Sequence, residues 1–189
     1  MSIAKSLSDR EMKIVLATVS QDRYADRNRA IILMSTLAGM RVGEIAALRV
    51  GDVLGCDGSI REEVHLKAAQ TKGNRGRVVI LGYKLRKELS AYLKTIPEID
   101  LNKPLFFSQQ KREGFSANTL CQFFNDLYRR AGIDGASSHS GRRSFITTLA
   151  NKGVGVRVLM ALAGHRHMST TQRYIDINDE MLKAAANLI

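Results

Sequence analysis

Four basic clusters carry residue types able to grip an anion or move a proton, and each follows a turn signal. The first, Gly39-Met40-Arg41-Val42-Gly43-Glu44, holds an arginine between two glycines. The second is Lys72-Gly73-Asn74-Arg75-Gly76-Arg77 and the third His139-Ser140-Gly141-Arg142-Arg143. The fourth is Gly164-His165-Arg166-His167, with Tyr174 nine positions beyond His165. An arginine fork donates two parallel hydrogen bonds to a phosphate and stays charged at any working pH. Histidine and lysine can exchange protons, and a tyrosine phenol becomes a nucleophile once its own proton is removed. Each cluster also has an ordinary reading: a capping arginine at a helix junction, a solvated hairpin tip, a hydrogen-bonded pair at the start of a helix. A metal site is disfavoured, because four histidines without a clustered carboxylate or thiol supply too few ligands.

Helical punctuation dominates the elements that must hold these clusters in place. Ser8-Asp9-Arg10-Glu11 reads as a capping box ahead of apolar Met12, Val15 and Val19. A second helix is expected from Arg23 to Ala38, with Gly39 as its stop, and a short third one after Gly43. From about Ile60 to Leu81 the pattern changes to strands, Val64-His65-Leu66 and Val78 to Leu81, joined by the turn chemistry of Lys72 to Gly76. Helices resume over Tyr83–Ile96, Ala117–Ala131, Arg142–Lys152, Val156–Ala163 and Ser169–Tyr174, and a last apolar stretch runs from Met181 to Ile189. The expected class is mostly α with a small antiparallel β-sheet (α+β), without βαβ alternation or a glycine-rich nucleotide loop.

Composition narrows the partner. Lys and Arg number 29 against 18 Asp and Glu over 189 residues, a formal charge of +11, which points to a polyanion. An apolar fraction of 44% excludes a disordered basic tail. Two cysteines, Cys56 and Cys121, cannot build a disulfide framework and suit a reducing cytoplasm. No apolar run reaches membrane-spanning length, and Met1 to Glu11 lacks a signal-peptide core.

Taken in order, Arg41, Lys72, His139-x-x-Arg142, His165 and Tyr174 resemble the catalytic signature of the tyrosine recombinases, also called the phage integrase family. Local sequence agrees. Leu37 to Ile45 looks like the first arginine box, Thr71-Lys72-Gly73 sits where the family carries its hairpin lysine, and Ala163-Gly164-His165 through Thr171-Gln172-Arg173-Tyr174 is similar to the last box. The 23 residues from Arg142 to His165 also suit the family.

The resemblance implies a site-specific recombinase or integrase that cleaves and rejoins double-stranded DNA through a 3′-phosphotyrosyl intermediate, without ATP, metal or other cofactor. It makes Tyr174 the nucleophile, Arg41 and Arg142 the phosphate clamps, and His165 a further phosphate contact. His139 becomes the proton acceptor or another phosphate contact, and Lys72 the acid for the leaving oxygen. Glu44 is expected to support this group by hydrogen bonding. Arg75, Arg77, Arg143 and Arg166 are expected on the DNA backbone. Tyr24, Tyr83, Tyr92 and Tyr128 fall within or beside amphipathic helical patterns, where burial is the expected use. Two positions depart from the family: Gly141 stands where an apolar residue is common, with looser local packing expected, and Arg143 where histidine is common. The His-x-x-Arg spacing selects Arg142 over Arg143.

The expected organisation is a single catalytic domain over residues 1–189, without the helical domain that precedes it in most of the family, as either a fragment or a short single-domain member. The expected assembly is a monomer when free and a tetramer on synapsed DNA, with the helix after Tyr174 docking in a neighbour. The expected setting is the prokaryotic cytoplasm, at the nucleoid. Two alternatives stay open: a type IB topoisomerase-like relaxer, and a catalytically silent DNA-binding regulator.

Overall fold

The structure, a computed structural model, describes residues 4–71, 73–108, 113–175 and 179–187. It opens with α1 (Asp9–Ser20), capped as the sequence predicts: Glu11 N donates to Ser8 Oγ at 3.2 Å, and Ser8 N donates back to the Glu11 carboxylate at 2.9 Å. Helix α2 (Ala25–Ala38) is the centre of the molecule. Ala30 to Ser35 are all buried along it, so it packs on nearly every side rather than along one stripe. Burying each of its large apolar side chains contributes about 1.5–3 kcal/mol.

Helix α2 ends at Gly39, whose φ of +60° is left-handed. A Cβ there would also lie 2.4 Å from the Phe145 ring, so only glycine fits on both counts. The chain then turns into α3 (Val42–Ala46) and α4 (Val50–Val53). The single turn of α4, closed by Arg49 N on Asp52 Oδ2 at 2.8 Å, is too short to leave a periodic signal in sequence. Strands β1 (Glu63–Leu66) and β2 (Arg77–Ile80) pair antiparallel with His65 opposite Val78. Val64, Leu66 and Val79 face the core.

The remaining helices are α5 (Tyr83–Leu93), α6 (Ala117–Arg130), α7 (Ser140–Asn151), α8 (Val156–Ala163), α9 (Met168–Gln172) and α10 (Asp179–Ala186). Helices α5 and α7 pack against α2, and α8 lies between α7, α9 and β2. The fold is therefore mostly helical with a small two-stranded antiparallel sheet, as expected. Among the described residues no helix is long and apolar enough to cross a membrane.

Two packing expectations need correcting. Gly141 does not loosen its surroundings. A Cβ there would meet Ser35 Oγ at 2.6 Å and Thr36 Cγ2 at 3.0 Å, so the missing side chain is what lets α7 seat on α2. Among the four tyrosines expected to be buried, Tyr92 and Tyr128 are, and Tyr24 is half-buried. Tyr83, in contrast, is 77% exposed, because the first residue of α5 projects before the helix meets the core.

Candidate active site

The end of α8 organises the basic residues. A helix C-terminus leaves carbonyl oxygens without intrahelical partners and carries partial negative charge. Here three successive carbonyls each accept from a different arginine. Arg77 Nη1 donates to Leu162 O at 3.0 Å, Arg142 Nη2 donates to Ala163 O, and Arg41 Nη2 donates to Gly164 O at 3.3 Å. The helix stops because Gly164 turns left-handed at φ +61°.

Arg142 lies in the first turn of α7 and is only 4% exposed. Its second arm donates to Gly39 O, so one guanidinium ties the turn after α2 to the end of α8. Burial, then the nearby charges of Arg41 and Arg77, lower its pKa to about 9, which still leaves it charged at neutral pH. Arg41 stands on the turn before α3, next to fully buried Met40. It keeps 26% of its side chain open to solvent while Nη1 pairs with Glu44 Oε1 at 2.8 Å.

Glu44 is 1% exposed. It accepts from the Arg41 backbone N–H at 2.8 Å, from Arg77 Nη2 at 2.8 Å and from Arg77 Nε at 3.1 Å. Burial pushes its carboxyl up, but the bonds and charge of Arg77, followed by those of Arg41, outweigh burial and hold it below the ordinary value. The expected supporting role in hydrogen bonding fits this placement.

His165 follows directly on the α8 cap. Its Nδ1 lies 2.9 Å from Thr171 Oγ1, and its ring stacks on Tyr174 with centroids 5.6 Å apart and planes 21° from parallel. Burial, then the charges of Arg142, Arg41 and Arg77, push its pKa down to about 4, so the imidazole is neutral at pH 7. Tyr174 is half-buried. Its backbone N–H donates to Thr171 O at 3.0 Å, its carbonyl accepts from Thr147 Oγ1 at 3.2 Å, and the Arg143 guanidinium lies 5.3 Å from its ring centroid.

The fold thus brings Arg41, Glu44, Arg142, Arg143, His165 and Tyr174 together around one helix end. His139 occupies the residue before α7, with its side chain exposed and its backbone N–H on Ser137 Oγ at 3.3 Å. Arg75 and Arg166 are exposed, as a backbone-gripping role requires. Lys72 lies outside the described residues. Arg77 departs from expectation: its fork lies on both oxygens of Glu44 and its last arm on Leu162 O, so its charge is met by a carboxylate within the protein, whereas Arg142 holds only neutral carbonyls. Thr171, fully buried beneath His165, is a residue that sequence reasoning missed. The available signal was its position three residues before Tyr174. A cleft lined by Val50, Ile96, Pro97, Lys103 and Phe107 shares no residue with this cluster.

A profile of the phage integrase family matches residues 5–181. The tyrosine recombinase XerA of Pyrococcus furiosus is 29% identical over 194 residues, covering 100% of this chain and 64% of the relative. XerA of Thermococcus kodakarensis is 31% identical over 186 residues, covering 97% of this chain and 62% of its own length. The chain therefore spans less than two thirds of the length of these relatives. The crystal structure of XerA recombinase superposes with a TM-score of 0.77 at 27% identity, covering 99% of this chain and 66% of that one.

Proposed function

The chain belongs to the phage integrase family, and from that premise we propose that it is the catalytic domain of a site-specific DNA recombinase. The observation that carries this reading is the meeting of Arg41, Arg142, His165 and Tyr174 at the end of α8. Attack on a phosphodiester concentrates negative charge on the non-bridging oxygens. Two arginines already fixed by backbone carbonyls can meet that charge without reorganising. Arg41, with part of its side chain open to solvent, and buried Arg142 are the clamps. Neutral His165 supplies a further hydrogen bond to the same oxygens.

Tyr174 attacks phosphorus through its phenol oxygen. The P–O bond to the 5′-oxygen breaks, leaving a 3′-phosphotyrosyl bond and a free 5′-hydroxyl. His139 takes the phenol proton, and Lys72 gives a proton to the leaving oxygen. The energy of the broken phosphodiester is kept in the new one. A second 5′-hydroxyl therefore reverses the step, and strands are exchanged without ATP. Arg75, Arg143 and Arg166 grip the flanking backbone, so affinity falls steeply with salt. In this reading residues 1–189 act as one catalytic domain, and α10 docks on a neighbouring protomer in a tetramer on synapsed DNA.

Nicked suicide duplexes carrying candidate sites test the reading. The wild-type protein is expected to form a denaturation-resistant protein–DNA adduct, and Tyr174→Phe none. An adduct that survives Tyr174→Phe overturns the nucleophile assignment. Tight binding with no adduct on any candidate site indicates a silent regulator instead.

A further inference from the structure

Arg77 has no task in the chemistry above, yet it is built into the site more firmly than Arg41. It sits on β2 at the parity of Val79, and a strand's period of two therefore sends both side chains to the core face. Its stem runs against the Gly164 turn so closely that a Cβ on Gly164 would come within 2.5 Å of Arg77 Cδ. Its fork closes on both oxygens of Glu44, at 3.1 and 2.8 Å, and its remaining arm reaches Leu162 O at 3.0 Å.

The charges explain what this arrangement does. Glu44 is almost fully buried and negative, and it touches the very arginine whose positive charge a phosphate needs. Were Arg41 its sole charged partner, the two would form a closed pair, and Arg41 would offer a ligand little net charge. Arg77 shares the carboxylate, so three arginines stand against one glutamate and the group stays net positive. Arg77 also fixes the height of the α8 end, from which Arg41 and Arg142 take their own bearings.

We propose that Arg77 is a positioning residue for strand cleavage: by sharing Glu44 with Arg41 and bracing the end of α8, it keeps the Arg41 guanidinium available to the scissile phosphate. The inference rests on the recombinase reading above. It also gives the hairpin a fixed anchor at the site, since β2 carries Arg77 at its first residue.

The test is single-turnover adduct formation on the suicide duplex by the whole chain. Arg77→Met keeps the length of the stem and is expected to slow cleavage about a hundredfold, with the thermal transition of the protein still cooperative. Adding Glu44→Gln to Arg77→Met is expected to restore the rate by about tenfold, because the carboxylate that captures Arg41 has lost its charge. A purely structural Arg77 predicts the reverse, a double variant slower than either single one. Wild-type cleavage by Arg77→Met, or a loss that Glu44→Gln deepens, overturns the proposal. If Arg77→Met does not fold, Arg77→Lys takes its place. Its ammonium can hold one Glu44 oxygen but not both, so an intermediate rate that Glu44→Gln raises supports the proposal. A wild-type rate, or a further fall with Glu44→Gln, overturns it. A wild-type protein that forms no adduct on any site rejects the recombinase reading, and this inference with it.

Discussion

The two halves of the proposed reaction centre are built differently. The phosphate side is cross-braced: Arg142 ties Gly39 O to Ala163 O, and Glu44 ties Arg41 to Arg77. The three arginines draw on α2, α3, α7, α8 and β2, and Arg142 and Glu44 are almost inaccessible to water. Among the described residues the nucleophile side is lighter. There Tyr174 is held by a hydrogen bond at its backbone N–H, one from Thr147 at its carbonyl, and ring contacts with His165 and Arg143. A group that stabilises developing charge works best when it is already in place, whereas a nucleophile must approach and withdraw as strands change partners. The contrast in bracing matches that division of labour.

The largest expected effect comes from dismantling the braced side. Arg142→Ala removes charged hydrogen bonds from two carbonyls, each worth about 1.5–3 kcal/mol. The melting temperature should drop sharply and adduct formation should vanish. Arg142→Lys should fold and still cleave about 10²–10³ more slowly. A variant lacking Arg142 that melts like the wild type would show that the brace carries no stability. Next in size is Gly39→Ala, expected to cost about 2–4 kcal/mol in urea unfolding, from its left-handed backbone and the collision with Phe145.

A pH titration of stability probes the histidine that joins the two sides. His165 has its folded pKa lowered from 6.5 to about 4. Between those values the unfolded chain binds a proton that the folded one refuses, so stability falls as pH drops through that window. Below the ordinary carboxylate value of 4.5, the lowered carboxyl of Glu44 adds a second loss. His165→Asn should flatten the urea midpoint between pH 6.5 and 4.5 and leave the carboxylate loss below 4.5. An unchanged slope would mean that another group sets it. Smallest is Thr147→Val, which removes the bond to Tyr174 O and should cost about 0.5–1.5 kcal/mol by the same urea assay. If it costs as much as Arg142→Ala, the two sides are equally braced and the comparison fails.

Much of the framework is legible in the sequence because its signals are local. The Ser8–Glu11 box, the Gly39 stop and the alternation along β2 each lie within a few residues, and helix Val156–Ala163 appears where the pattern puts it. Arg41, Arg142, His165 and Tyr174 are legible as candidates through their order, but sequence order carries no information on their bracing. That depends on carbonyls, which every residue possesses and no motif marks. Arg77 is the instructive error. Its basic neighbours suggest a hairpin tip facing DNA, while its parity with Val79 already places it on the core face. The same alternation turns the apolar Val78 and Ile80 outward, each about 40% exposed. Gly141 misleads for another reason: a missing side chain is read as slack until the neighbouring helix is in view.

The end of α8 has a consequence for how the site tolerates genetic change. Its three acceptors are main-chain oxygens, so replacing the half-buried Leu162 with another helix-compatible residue leaves every acceptor in position. An inserted or deleted residue inside α8 is different in kind. It rotates the helix end by about 100° relative to the rest of the fold, and all three arginines lose their acceptors in one event. The centre is thus tolerant of side-chain changes on the open face of this helix and brittle to frame-preserving changes in its length.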